Sequence, residues 1–222
     1  MTALPVGPAA YPVQFAVDYP DRALNRLTSA FRIVVAIPML VVLVVVSGSG
    51  FAWSRGSQDA LAGAGGLLFF GPLLMIVFRH KYPRWWFDWN VELQRFTSRI
   101  VVYLALMDDH YPSTDEQQAV HLDYAYPDAG RDLNRWAPLV KWLLAIPHFI
   151  VLFFLWVAAC AVVVVAWFAI LFTGRYPRRM FDFVEGVMRW DQRVIAYALV
   201  LTTDRYPPFS LAAAPNELRR LG

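Results

Sequence analysis

Trp136–Thr173 reads WAPLVKWLLAIPHFIVLFFLWVAACAVVVVAWFAILFT, and its one charged residue, Lys141, stands near the start. Uncharged runs of about 18 residues or more are candidate membrane segments. As a single helix, these 38 residues would run about 57 Å, against roughly 30 Å of hydrocarbon in a bilayer. The length predicts two segments, about 137–156 and 159–173, with a tight turn near Val157 to Cys160. A hairpin that enters and leaves without fully spanning is the alternative. Upstream, Ala30 to Gly50 holds one charge, Arg32, and Leu61 to Phe78 holds none. The fold expected is therefore mainly α and integral to a membrane, with four hydrophobic segments, the first two at about 30–50 and 61–78.

Composition agrees with that reading. The chain of 222 residues is 58% hydrophobic and only 17% charged, where a soluble domain carries about a quarter charged residues. The first thirty residues hold Asp18, Asp21 and Arg22 in place of an early apolar core, so no cleavable signal peptide is expected. A single cysteine, Cys160, rules out a disulfide framework, a zinc set and a redox pair. Of the 20 Lys and Arg residues, only Arg55 falls between the first two segments, and the turn in the third block has none. The positive-inside bias then places both termini and the central connection in the cytoplasm.

Motifs recur along the chain. Tyr19-Pro20 returns as Tyr126-Pro127, Leu24-Asn25-Arg26 as Leu133-Asn134-Arg135, and Ala36-Ile37-Pro38 as Ala145-Ile146-Pro147. Tyr82-Pro83-Arg84 with Asp88 returns as Tyr176-Pro177-Arg178 with Asp182, and Arg95 and Arg99 as Arg189 and Arg193. Asp109-His110-Tyr111-Pro112 closes the first copy and Asp204-Arg205-Tyr206-Pro207 the second. Two repeats are expected, at 11–114 and 119–210 with a tail at 211–222. Each would hold two membrane segments, so the copies share an orientation and relate by an axis along the membrane normal. The extra length of the first copy falls in the Gly- and Ser-rich stretch Ser47 to Gly66, which reads as a flexible loop.

Leu-Asn-Arg, the Leu-Ala-Ile-Pro-His-Phe-Ile-Val run from Leu144, and Trp167 to Pro177 resemble the bacterial membrane proteins of domain of unknown function family 4389. So does the closing Thr203 to Ser210. The second copy is the closer of the two, because His80-Lys81 replaces Gly-Arg before Tyr-Pro in the first. The resemblance implies a bacterial inner-membrane protein and brings no activity.

Each copy continues into an amphipathic helix, at about 84–107 and 178–201. At about 100° per residue, Arg84, Asp88, Glu92, Arg95 and Arg99 share one stripe, as do Arg178, Asp182, Glu185, Arg189 and Arg193. Apolar and aromatic residues lie beside both. Such helices read as lying in the membrane interface. Arg84 with Asp88 and Arg178 with Asp182 are structural i,i+4 pairs, whereas Arg95 with Arg99 and Arg189 with Arg193 place like charges together. A phospholipid phosphate between them would relieve that, so Arg26, Arg84, Arg95, Arg99, Arg135, Arg178, Arg189 and Arg193 are the candidate head-group residues. Plain anchoring with internal salt bridges is the rival account. Val13 to Val17 and Val120 to Tyr124 alternate weakly, in keeping with a small cytoplasmic sheet.

Chemistry is sparse. Pro38 and Pro147 should kink their segments, and His148, matched by Met39, reads as buried or interfacial with a backbone partner. Lys141 should snorkel. No intramembrane carboxylate, phosphate loop, metal cluster or catalytic triad is present in the sequence, so neither enzyme nor cofactor nor nucleic-acid partner is expected. The reading is a non-catalytic protein that binds or organises anionic phospholipid or scaffolds a membrane complex. Its rival is an oligomeric channel or passive transporter with a pore near the two prolines.

Overall fold

A computed structural model describes residues 11–20, 23–47, 71–113 and 118–213. Its elements in chain order are β1 (Val13–Val17), α1 (Arg26–Ala30), α2 (Arg32–Ser47), a π-helical turn (Met75–Arg79), α3 (Arg84–Leu104), β2 (Val120–Tyr124), α4 (Ala137–Leu144), α5 (Ile146–Thr173) and α6 (Arg178–Ala198).

Four membrane segments are not found among the described residues. Among the described residues, α5 is the one helix long and apolar enough to cross a membrane. The 38-residue block does break, as its length requires, but at Ala145 and not at 157–160. Pro147 decides the place: lacking an N–H, it suits the first turn of a helix and begins α5 there. Val157-Ala158-Ala159-Cys160 contains no helix breaker, and the helix runs straight through it. With one long helix in the second half, the expected repeat of two membrane segments falls as well. The expected segment 61–78 lies outside the described residues up to residue 70, and α2 is a shorter apolar helix.

Gly174 stops α5 with φ of 73°. A Cβ added there would meet only ordinary contacts, the nearest being Arg26 Nε at 3.7 Å. The left-handed backbone alone then sets the penalty, and Gly174→Ala should cost about 1–2 kcal/mol, read as a lowered midpoint of thermal unfolding in detergent. His80 holds the matching position before Lys81 with φ of 49°. Its ring is tied to Leu133 O at 3.0 Å.

The helices and the sheet form three layers. Ala145, Leu152, Ala159 and Ala166 are buried and recur every seventh residue. Alanine at three of the four positions allows close approach, and a seven-residue spacing is the seam of helices crossing at a shallow angle of about 20°. α6 runs back along α5, with Trp190 donating to His148 Nδ1 at 3.1 Å. The other face of α6 carries β1, through Arg189 Nε to Phe15 O at 2.9 Å and Val17 N to Glu185 Oε1 at 3.2 Å. α3 is placed likewise between α2 and β2.

β1 and β2 pair antiparallel, Val13 opposite Tyr124 and Val17 opposite Val120. Both strands fall where alternation predicted them, and both amphipathic helices stop three residues early, at Leu104 and Ala198. The connections are crossed. β1 lies on the helix of the second half and β2 on that of the first, so Tyr19 donates to Tyr176 O at 2.5 Å and Tyr126 to Tyr82 O at 2.6 Å.

Candidate functional site

Two matching anchors organise the polar groups. In the first, Asn25 caps α1 by accepting from Leu27 N and Thr28 N, and its own N–H donates to Asp109 Oδ2 at 2.7 Å. Asp109 Oδ1 also receives the buried Arg32, whose Nη1 reaches Tyr103 O at 2.8 Å and Asp108 O at 2.5 Å. In the second, Asn134 N donates to Asp204 Oδ2 at 2.5 Å, and Lys141 Nζ stands 2.6 Å from Asp204 Oδ1 and donates to Thr203 O at 2.8 Å. Arg32 covers the Tyr103 ring at 4.4 Å and Lys141 the Tyr197 ring at 5.3 Å.

Lys141 does not snorkel; it is 1% exposed. Burial lowers its pKa and Asp204 opposes the fall. Each aspartate follows a leucine with positive φ, Leu106 at 65° and Leu201 at 60°. A bulky residue held there costs about 1–3 kcal/mol, and both leucines are buried, which keeps the turn in place. The anchors were missed in the sequence, although it held a sign of them. Arg32 and Lys141 each stand seven residues after the asparagine (32 − 25 and 141 − 134).

The later arginines of both stripes turn inward. Arg189 is 5% and Arg193 3% exposed. Arg189 Nη2 lies 2.5 Å from Glu185 Oε1, and Nη1 donates to Leu211 O at 3.0 Å. Arg193 donates to Ser210 O at 3.2 Å and Ala212 O at 3.1 Å. Arg99 donates to Ser113 O at 2.6 Å; Arg95 donates to Leu122 O at 2.9 Å and pairs with Glu92 and Asp123. Backbone carbonyls thus separate the like charges, in the place where a phosphate was expected. Burial raises the Glu185 pKa, and Arg189 pulls it back. On the α5 side of the same helix, burial pushes Asp191 up to about 6 while a hydrogen bond with Trp156 restrains it.

The four remaining candidates are exposed and gather in pairs where an apolar helix ends and an amphipathic one starts. Arg26 stands against Gly174 at the end of α5. At the start of α6, Arg178 pairs with Asp182 at 2.9 Å over the Tyr19 ring at 4.5 Å. Arg135 Nη2 donates to Phe78 O at 3.1 Å, and Arg84 sits 3.9 Å from Asp88 and 5.4 Å from the Tyr126 ring centre. Cations suit helix C-termini, where carbonyls collect negative charge.

Pro147 opens α5 just after the break at Ala145, inside the expected segment 137–156, and Pro38 lies inside α2. His148 is fully buried. Its partner is the Trp190 indole and not the backbone, and its ring stacks on Phe209 at 4.0 Å. Among the described residues, no group of three His, Cys, Asp or Glu is placed to hold a metal.

Residues 135–210 match the family model Domain of unknown function (DUF4389). The match covers the second copy from Arg135 onward, with the anchor residues Lys141 and Asp204 but not Asn134, and does not extend to the first. The family name carries no reaction. No curated protein and no solved structure matches the chain.

Proposed function

We propose that this is a non-catalytic membrane protein that holds anionic phospholipid head groups at two basic junctions, Arg26 with Arg178 and Arg135 with Arg84. Its place would be the cytoplasmic face of a bacterial inner membrane, where it would organise lipid or scaffold a membrane complex. One observation carries the reading: only 17% of the most apolar 18-residue window of α5 is buried, and exposed arginines stand at the end of that helix. An apolar strip flanked by cations matches the layering of a leaflet, acyl chains below and phosphates above.

The test is flotation of the purified chain with vesicles of phosphatidylglycerol or of phosphatidylcholine. Each basic residue near an anionic surface contributes about 1 kcal/mol, so Arg26→Gln/Arg135→Gln should weaken binding to phosphatidylglycerol by roughly 30-fold. Equal binding to both lipids, unchanged in the variant, would overturn the head-group assignment. Native mass spectrometry of gently extracted protein should show the same dependence as retained anionic lipid.

A further inference from the structure

We propose that α5 lies in the plane of the membrane, sunk into one leaflet, and does not cross it. This rests on the membrane reading above and adds the orientation. The argument begins with what is attached to the helix. α6 packs on α5, Trp190 meeting His148 and Asp191 meeting Trp156, and Tyr197 reaches Lys141 on α4 beyond. β1 then follows α6 in turn, Tyr11 bonding Arg193 O, Phe15 bonding Arg189 and Val17 bonding Glu185. Helix, helix and strand are therefore stacked side by side along one direction.

If α5 crossed a bilayer, the other two layers would cross beside it. Asp123 on β2 lies opposite Gln14, beside the Phe15 that bonds Arg189 midway along α6, and it is exposed and paired with Arg95. Such groups would then sit at hydrocarbon depth, where each charge costs at least about 2.5–3.5 kcal/mol. Open sheet edges do not occur facing lipid tails. Length argues the same way. The 28 residues of α5 run about 42 Å, and fitting that into roughly 30 Å of hydrocarbon needs a tilt of about 45°, beyond the usual range.

Laid flat, the molecule meets none of these costs. Phe153, Phe154, Phe168 and Phe172 point away from α6 and are exposed, so they enter the acyl chains. α6 stands about 8–10 Å above α5, at the level of phosphates, and the sheet a further layer up, in water. α2 repeats the arrangement, with Ile33, Val34, Ile37 and Val41 exposed and α3 on its other side. An interfacial helix buries its apolar face by about 5–10 Å, the depth this geometry supplies.

The test uses the full chain in bacterial membranes. In a Cys160→Ser background, Arg131→Cys and Arg179→Cys mark exposed positions before α4 and after α5. A membrane-impermeant maleimide is applied to spheroplasts and to inverted vesicles. Labelling of both positions from the same side, and neither from the other, is expected; labelling from opposite sides means that α5 crosses, and the proposal fails. A nitroxide on the natural Cys160, which is exposed near the middle of α5, adds a measurement that needs no substitution. It should report a depth within about 10 Å of the phosphates; a position at the bilayer centre overturns the proposal. Failure to float with any vesicle, with Cys160 shielded in a soluble dimer, would overturn the membrane reading itself and assign the apolar face to a second copy.

Discussion

Asp204→Ala is expected to lower stability by about 3–5 kcal/mol, the usual effect of removing one partner of a buried ion pair. Lys141 would be left 1% exposed with one carbonyl, Thr203 O, as acceptor, and Asn134 N would lose its carboxylate. Asp204→Ala/Lys141→Met should recover much of the loss, because two apolar groups leave no uncompensated charge. The pH dependence has a definite sign. Burial already puts the lysine below its unfolded pKa of 10.5, so the folded state releases the proton first and stability rises with pH toward that value. Without Asp204 the fall deepens and the rise becomes steeper. Asp109→Ala should cost less, since Arg32 keeps both Tyr103 O and Asp108 O. Denaturation midpoints in detergent compare the variants, and equal losses at the two anchors would contradict this account.

Arg189→Ala comes next, with a loss of about 3–5 kcal/mol on the same grounds. Glu185 would stay buried beside Val17 N with its cation gone, and Phe15 O and Leu211 O would each lose a donor. Burial holds Glu185 above its unfolded pKa of 4.5 even with Arg189 present. Removing the arginine raises it further, so relative to the parent the variant is least impaired at acidic pH and worsens as pH rises through the carboxylate range. The loss should appear in detergent without added lipid, and lipid binding per folded molecule should be unchanged. A variant that folds as stably as the parent but no longer holds phosphatidylglycerol would return Arg189 to the head-group site.

How much was legible follows from the range of each interaction. Alternation in Val13–Val17 and Val120–Tyr124 marked both strands, because a pleated strand has its period whatever it pairs with. Pro83 and Pro177 stand immediately before α3 and α6. Periodicity divided those helices into a polar and an apolar face, but it says nothing about what covers either one. The arginine stripes were read as facing phosphate, when carbonyls of strands and loops distant in sequence were waiting for them: Phe15 O meets Arg189 across 174 positions. For the same reason Lys141 looked like a residue bound for water, since Asp204 lies 63 positions later (204 − 141).

The amino-acid sequence by itself determined the elements, their two-faced character, the recurrence of motifs and the need for a break within Trp136–Thr173. Those depend on backbone geometry, local periodicity and the reach of a helix. Only the tertiary structure decided that α6 covers α5 and that β1 and β2 cross to each other's half. It also decided that five of the eight candidate arginines, Arg135 among them, donate to backbone carbonyls, and that Arg26, Arg84, Arg135 and Arg178 stay exposed where the apolar helices end. Each outcome turns on which buried polar group finds a partner, and those partners are fixed only when remote segments meet.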